Sequence, residues 1–504
     1  MLATVPSATL VGVRGQSVQV EVHVGQGLPT FTLVGLPDAS CREARDRVRA
    51  AFASSGLKFP NSHRVTVNLA PSDVPKTGAG LDLAIAVALL VADDQLPAEA
   101  AAGMAFAAEL GLDGALRPVV GAVPLVDAMG GSVPVVAPDD LSEAATVRPE
   151  ARSVHHLAEL VAVLRGEAAW PVVDVPAFAP CTRTVPDLAD VRGHQLARQA
   201  LEVAAAGGHH LLLVGPPGAG KTMLAERLPG ILPDLEPAAA LEVARVRSAS
   251  GDSLRGEGLA VRPPYRAPHH TASLVALVGG GSAHLRPGEI SRASGGVLFL
   301  DELGEFPPSH LDALRQPLES GVVRVARAGL SVELPAAFLL VGATNPCPCG
   351  VGRWGRCSCA PAQVARYLRR LSGPLLDRFD VRLFVDPPAA DEVFGAAAGT
   401  GENSAVVRGR VVAARERALG RGVAHNRQLR GTDLERWAPL TPRARQLLHD
   451  LLASGTLTVR GAERVRAVAL TLVDLACGEP PLDDEVVAAA VVLRSADLSG
   501  AVAA

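Results

Sequence analysis

Residues 17–24, SVQVEVHV, alternate strictly: Val18, Val20, Val22 and Val24 face one way, and Gln19, Glu21 and His23 the other. A period of two predicts a half-buried strand. A second strand is predicted at RVTVNLAP, residues 64–71, after a helix-like stretch from Cys41 to Ser54. LDLAIAVALLVADD then reads as a buried helix. Strands and helices mix over residues 1–165, which predicts an α/β amino-terminal domain.

From 166 to 186 the helical period disappears into Pro, Val and Ala, as in WPVVDVPAFAP, and a linker is predicted. A second domain, residues 187–390, opens with the helix VRGHQLARQALEVAAAGG and the strand HLLLVG. Residues 391–504 contain SAVVRGRVVAARERAL, TPRARQLLHDLLAS and VRGAERVRAVALTLVDLAC, whose apolar positions recur every three or four residues. These predict a small helical domain. No repeat of 20 to 50 residues is visible.

Three domains agree with a length of 504 residues. Apolar residues at 48% and charged residues at 20% exclude a chain dominated by disorder. A net charge of −4 draws no nucleic acid by a global field, so such binding must come from local patches. The start MLATVPSATLVGVRG has no basic segment followed by an apolar run, and no stretch has the roughly 18 apolar residues of a membrane helix. The expectation is a cytoplasmic protein with no membrane partner. Lys58, Lys76 and Lys221 are the only lysines among 48 basic residues, so each is a candidate for a role that needs lysine.

Lys221 lies in the most informative segment. The strand Leu211 to Val214 feeds Gly215, Pro216, Pro217, Gly218, Ala219, Gly220, Lys221 and Thr222, and a helix follows. A strand, a glycine-rich turn and a helix N-terminus together cradle phosphates: backbone N–H groups point at the anion and the lysine reaches the β and γ oxygens. Thr222 is predicted to hold Mg²⁺ and the ligand to be ATP. In GGVLFLDE the apolar run Val297 to Leu300 reads as a buried parallel strand ending in Asp301 and Glu302. Asp301 is expected to bind Mg²⁺ through water and Glu302 to polarise the attacking water; a plain strand-end cap is the alternative. FLLVGATN, residues 338–345, ends a third strand at Asn345, placed to orient that water. Arg378 in SGPLLDRFD and Arg460 in LTVRGAER are able to stabilise the transferred phosphoryl group, but a single arginine on an amphipathic segment is usually a surface residue, and their assignment rests on the resemblance below.

Cys347, Cys349, Cys357 and Cys359 follow Asn345 as C-x-C, seven residues, C-x-C. In a reducing compartment four thiols within thirteen positions suit a tetrahedral Zn²⁺ site better than disulfides. Free thiols with a local structural role are the other reading.

With these residues in hand, the chain from Met1 to about Asp497 resembles the ComM (YifB) family of magnesium-chelatase-like AAA+ ATPases. The distinctive segments are APHHTAS (267–273), RPGEISRASGGVLFLDELGEF (286–306), NPCPCG (345–350) and SGPLLDRFD (372–380). The resemblance implies an AAA+ P-loop core with a parallel sheet, a helix-2 insertion and a pre-sensor hairpin, and a helical lid over the nucleotide. It also implies a homo-oligomer, a hexameric ring, in which Arg378 reaches the neighbouring subunit's ATP and Arg460 is the second sensor. The implied activity is ATP-driven branch migration of DNA in natural transformation or homologous recombination, alongside recombination proteins.

Two arginine-bearing stretches are compatible with branched or single-stranded DNA as a partner. Leu334 to Leu376 holds Arg353, Arg356, Arg366, Arg369 and Arg370 without an acidic residue; Arg262 to Arg292 holds four arginines and three histidines against Glu289. Subunit contacts or solvated faces are the alternative. PSDVPKTGAGLDLAIAVALL, residues 71–90, is similar to a Lon-protease-like (S5-like) α/β domain, but Gly80 stands where active members have a nucleophilic serine, so Lys76 has nothing to activate. A binding or assembly domain is expected. Two other functions fit the core motifs: a magnesium-chelatase-type motor subunit for metal insertion, and an ATP-dependent scaffold without DNA translocation.

Overall fold

The computed structural model describes residues 1–172, 185–252, 254, 258–281, 285–327, 330–355, 357–371, 373–388 and 401–496. Most of the predicted linker, residues 173–184, lies outside them, as do Arg356 and Ser372.

Valine alternation builds the amino-terminal domain. β1 (Leu2–Val11) and β2 (Arg14–Gly25) form an antiparallel pair in register from Leu2↔His23 to Val11↔Arg14. With β3 (Thr30–Val34) and β4 (Arg64–Ala70) they make a sheet of order β1-β2-β4-β3. Val18, Val20, Val22 and Val24 are all buried. The helix expected from Cys41 to Ser54 is a short turn followed by α1 (Ala44–Ser54). α2 (Asp82–Ala92) has ten of eleven residues buried because sheet, β5 (Met104–Ala107) and α1 enclose it. β5, β6 (Val133–Val136) and β7 (Arg152–Ser153) form a second, parallel sheet, and α3 (Ala122–Asp127) lies between β5 and β6 in the chain.

In the second domain α4 (Gln195–Gly207) precedes β8 (Leu211–Val214), and α5 (Lys221–Ile231) and α6 (Pro237–Ser250) follow it. Next come β9 (Tyr265–Arg266), α7 (Leu274–Val278), β10 (Val297–Leu300) and α8 (Arg315–Ser320). The hairpin β11 (Val322–Arg327) and β12 (Leu330–Pro335) leads into β13 (Leu339–Thr344), and β14 (Val381–Phe384) completes the set. Five of these strands form a parallel sheet of order β9-β10-β13-β8-β14. A parallel sheet covered on both faces explains why β8 and β10 are unbroken apolar runs and β13 has no polar side chain before Thr344, every residue buried. All five carboxyl ends lie along one edge.

The carboxy-terminal helices α9 (Ser404–Gly420), α10 (Pro442–Ala453), α11 (Val459–Leu475) and α12 (Asp484–Val492) start at Asn403, Thr441, Thr458 and Asp483, whose side chains accept from backbone N–H groups of the first turn. They share one apolar core with the sheet: Val407, Val411, Val465 and Leu470 pack with Leu201, Leu213 and Leu228. The amino-terminal domain is joined by hydrogen bonds. Glu143 accepts from Ser248 Oγ at 3.0 Å and Leu254 N at 2.7 Å, and Asp127 pairs with Arg245 at 2.7 Å. Val13, at the β1–β2 turn, lies in the same apolar cluster as Val332 and Leu334 of β12.

Candidate functional site

The loop after β8 is held by backbone geometry that favours glycine. Gly218 and Gly220 have φ of +78° and +79°, and a Cβ on Gly215 would lie 2.4 Å from the Val385 carbonyl oxygen. Lys221, the first residue of α5, is buried. Its Nζ donates to Gly215 O at 2.7 Å, Pro216 O at 2.9 Å and Asn345 Oδ1 at 3.1 Å. Burial lowers its pKa, opposed by the carboxylates of Asp301 and Glu302. An ammonium bonded only to neutral oxygens, inside a loop at a helix N-terminus, suits a polyanion such as a triphosphate.

Thr222 Oγ1 donates to Asp301 Oδ2 at 2.7 Å, and Asp301 Oδ1 accepts from the Glu302 N–H at 2.8 Å. A hydroxyl beside a carboxylate is a hard-oxygen pair that fits Mg²⁺. Glu302 is in the left-handed region, φ +50° and ψ +47°, at the end of β10. Its Oε2 lies 3.2 Å from His270 Nδ1. His270 also lies against His269, the rings tilted by 32° with centroids 4.1 Å apart, and meets the Phe306 ring edge-on. Sequence reasoning assigned His270 no role. The register explains its position: Arg266 pairs with Leu298, so His270 and Glu302 each lie four residues beyond paired positions on neighbouring strands. β9 has only two residues, too few to leave a readable pattern.

The four cysteines converge directly after Asn345. Their sulfurs all lie within 4.8 Å of one another, with Cys347–Cys349, Cys347–Cys357 and Cys349–Cys357 at 3.3, 3.7 and 3.6 Å. A tetrahedron with Zn–S bonds of about 2.3 Å has S–S edges of about 3.8 Å, so these thiols fit the metal. The knot also touches the phosphate loop, since a Cβ on Gly350 would lie 2.7 Å from Pro217 Cδ.

Arg378 and Arg460 are elsewhere. Arg378 precedes β14, at the amino edge of the sheet, and β8 alone separates that edge from the loop by about 13 Å. Arg460, at the start of α11, comes to the same place: both guanidiniums reach Glu319 Oε1 of α8, at 2.5 Å from Arg378 and 3.7 Å from Arg460. The arginine of the expected lid therefore faces away from its own chain's phosphate loop.

The family described as magnesium chelatase, subunit ChlI, matches residues 187–393; subunit ChlI of Mg-chelatase matches 20–132 and the ChlI C-terminal family 401–494. The chain is 43% identical over 478 residues to the uncharacterized protein YifB of Salmonella typhimurium, covering 94% of this chain and 93% of that one. It is 43% identical over 483 residues to the competence protein ComM of Haemophilus influenzae, covering 94% of each. An uncharacterized protein of Mycobacterium tuberculosis is 44% identical over 491 residues, 96% of this chain and 97% of its own. The chain belongs to the ComM/YifB family of magnesium-chelatase-like AAA+ ATPases.

In this ComM/YifB chain the basic stretches are less free than the sequence suggests. Arg266 and Arg292 both bind Glu289, Arg266 through two bonds of 2.6 and 2.8 Å, and Arg292 also pairs with Asp252. These two arginines brace the insertion, because the one acidic residue there lies between them. Arg370 pairs with Glu305 at 3.1 Å. Arg286, Arg366 and Arg369 are exposed. In the amino-terminal domain Lys76 is fully buried and its ammonium donates to the Pro71 carbonyl, whereas Ser72 is exposed, so the two form no dyad. Among the described residues no helix is long and apolar enough to cross a membrane.

Proposed function

We propose that this chain is an ATP-hydrolysing ring motor, six copies to the ring, that drives branch migration of DNA in natural transformation or homologous recombination. The observation carrying the reading is the opposition of two edges: Lys221, Asp301, Glu302 and Asn345 at the carboxyl ends of the strands, and Arg378 with Arg460 at the amino ends. Neither arginine serves its own chain's loop, so both need a second copy. A head-to-tail contact repeated around an axis closes into a ring.

In this reading residues 215–222 hold the phosphates, with Lys221 exchanging its carbonyl partners for β and γ oxygens. Mg²⁺, when bound by Thr222 and through water by Asp301, neutralises charge shared between those phosphates. Glu302 takes the proton of the attacking water, Asn345 orients that water, and a neighbour's Arg378 and Arg460 meet the charge that develops. We further propose that Cys347, Cys349, Cys357 and Cys359 hold a structural Zn²⁺. DNA as the substrate draws support from the relative named a competence protein and from exposed Arg366 and Arg369.

A metal-insertion motor is the second reading, favoured by the magnesium chelatase families matched along the chain. Measuring ATP turnover and strand displacement on a four-way junction, for wild type and Glu302→Gln, separates the two. DNA-stimulated turnover and displacement, both lost in the variant, are expected. Turnover indifferent to DNA, with no binding of the junction, sinks the DNA reading and leaves metal insertion or scaffolding.

A further inference from the structure

The amino edge of the sheet opens into a cleft of about 870 Å³ whose lining sets Asp234, Glu236 and Glu319 against Arg415, Arg427, Arg430, Arg460 and Arg464. Its charges are unbalanced. Arg427 and Arg464 are taken up by the buried carboxylate of Asp380, at 2.8 and 3.0 Å. Arg415 and Arg430 donate to backbone carbonyls. Arg378 and Arg460 share a single oxygen of Glu319; Arg378 also donates to the Pro374 carbonyl, and Arg315 close by is paired with Asp312 at 2.7 Å. Nε of Arg378 is buried without a partner among the described residues, in a side chain that is 8% exposed. Two guanidiniums on one carboxylate oxygen leave donors without an acceptor among the described residues.

We infer that Glu319 is an internal place-holder in the anion seat that the neighbouring copy's triphosphate enters: it holds Arg378 and Arg460 together in the free subunit and releases them on assembly. The inference rests on the ring reading above. Glu319 is suited to leave. Its side chain is 54% exposed, and it stands one residue from the end of a six-residue helix that stops at Gly321. An ion pair with a half-exposed carboxylate is weak, so exchange for a phosphate costs little. A carboxylate that stayed would repel the incoming phosphate. Nucleotide and Glu319 therefore compete for the same two arginines, and Glu319 sets how much ATP the ring needs in order to form.

The test is ATP-dependent assembly of the full chain, followed by sedimentation in a Glu302→Gln background so that nucleotide persists. Adding Glu319→Gln, which keeps the shape and removes the charge, is expected to lower the ATP concentration for half-assembly about three- to tenfold. Glu319→Asp, which keeps the charge, stays near the parent. A folded Glu319→Gln chain, judged by an unchanged unfolding temperature, that needs the same or more ATP marks Glu319 as a fixed brace and overturns the inference. If Glu319→Gln does not fold, Glu319→Asp carries the test through raised salt: a threshold unmoved by salt in both parent and variant overturns it. Failure of the ring reading looks different: the parent stays monomeric at every ATP concentration, or Arg378→Ala leaves the turnover of the Glu302 chain unchanged.

Discussion

His270 Nδ1 and Glu302 Oε2 lie 3.2 Å apart, brought together by the parallel register of β9 and β10. Glu302 is in a left-handed conformation that a side-chain-bearing residue adopts at a cost. His270 belongs to the segment leading into α7, where Leu274 and Val275 are exposed. A partner seated on that segment would move His270 and change where the Glu302 carboxylate points. Replacing His270 by Ala removes the tether. ATP turnover without DNA is expected to rise about fivefold, the equivalent of one modest hydrogen bond, and further stimulation by DNA to shrink. A steady-state assay at saturating ATP checks it; a fall in turnover would mean that His270 belongs to the reactive arrangement.

Glu302→Gln separates binding from chemistry. The amide keeps the size and an acceptor but takes up no proton, so turnover is expected to drop about 10²- to 10⁴-fold. Lys221, Thr222 and Asp301 make their contacts without Glu302's carboxylate, so affinity for a fluorescent ATP analogue should stay within about threefold. Loss of affinity in parallel with turnover would assign Glu302 to the phosphate seat instead.

The parts of this arrangement that lie in contiguous segments were readable from sequence, and those set by sheet register or domain docking were not. The loop from Gly215 to Thr222, the Asp301–Glu302 pair and Asn345 each follow an apolar run, because a parallel strand buried on both faces leaves no alternation to obscure its end. His270 escaped since its partner is 32 residues away and β9 is two residues long. The placing of Arg460 opposite the loop depends on how α11 docks. Its periodicity marks an apolar face without saying that the face meets Leu201 and Leu213 in the sheet's own core. The insertion arginines misled for the same reason: composition counts Arg266 and Arg292 as free charge, and the fold places Glu289 between them.

The buried His209 and His210 and the half-buried His425 predict loss of stability in mild acid. Burial lowers the pKa of His209 and His210, and pushes His425 down to about 3 with help from Arg415 and Arg427. A folded pKa below the unfolded value near 6.5 means that the unfolded chain binds more protons, so stability is full above about pH 6.5 and falls as pH drops toward the folded values. Each such group that stays neutral in the folded chain adds about 1.4 kcal/mol per pH unit to the slope once its unfolded counterpart is protonated. Urea unfolding between pH 7.5 and 5 reads the slope, and His425→Gln should reduce it by about one proton. An unchanged slope in that variant would show that His425 is not held neutral in the folded chain.

The cysteine knot stands against the nucleotide loop, so a zinc ion held there would have a reach beyond local folding. Gly350 packs on Pro217, and Asn345, two residues before Cys347, bonds the Lys221 ammonium. Loss of such an ion would free four thiols in thirteen residues and is expected to loosen both contacts at once. Purified protein with intact thiols is expected to hold about one equivalent of zinc, since four thiolates fill a tetrahedral site. Stripping it with a chelator, or Cys349→Ser, should raise the KM for ATP about tenfold through the displaced Lys221 and Asn345, with a smaller effect on kcat at saturation. Less than about a tenth of an equivalent in protein whose four thiols all titrate would remove the metal from the account. Zinc at one equivalent with unaltered KM after its removal would confine the knot to holding its own loop.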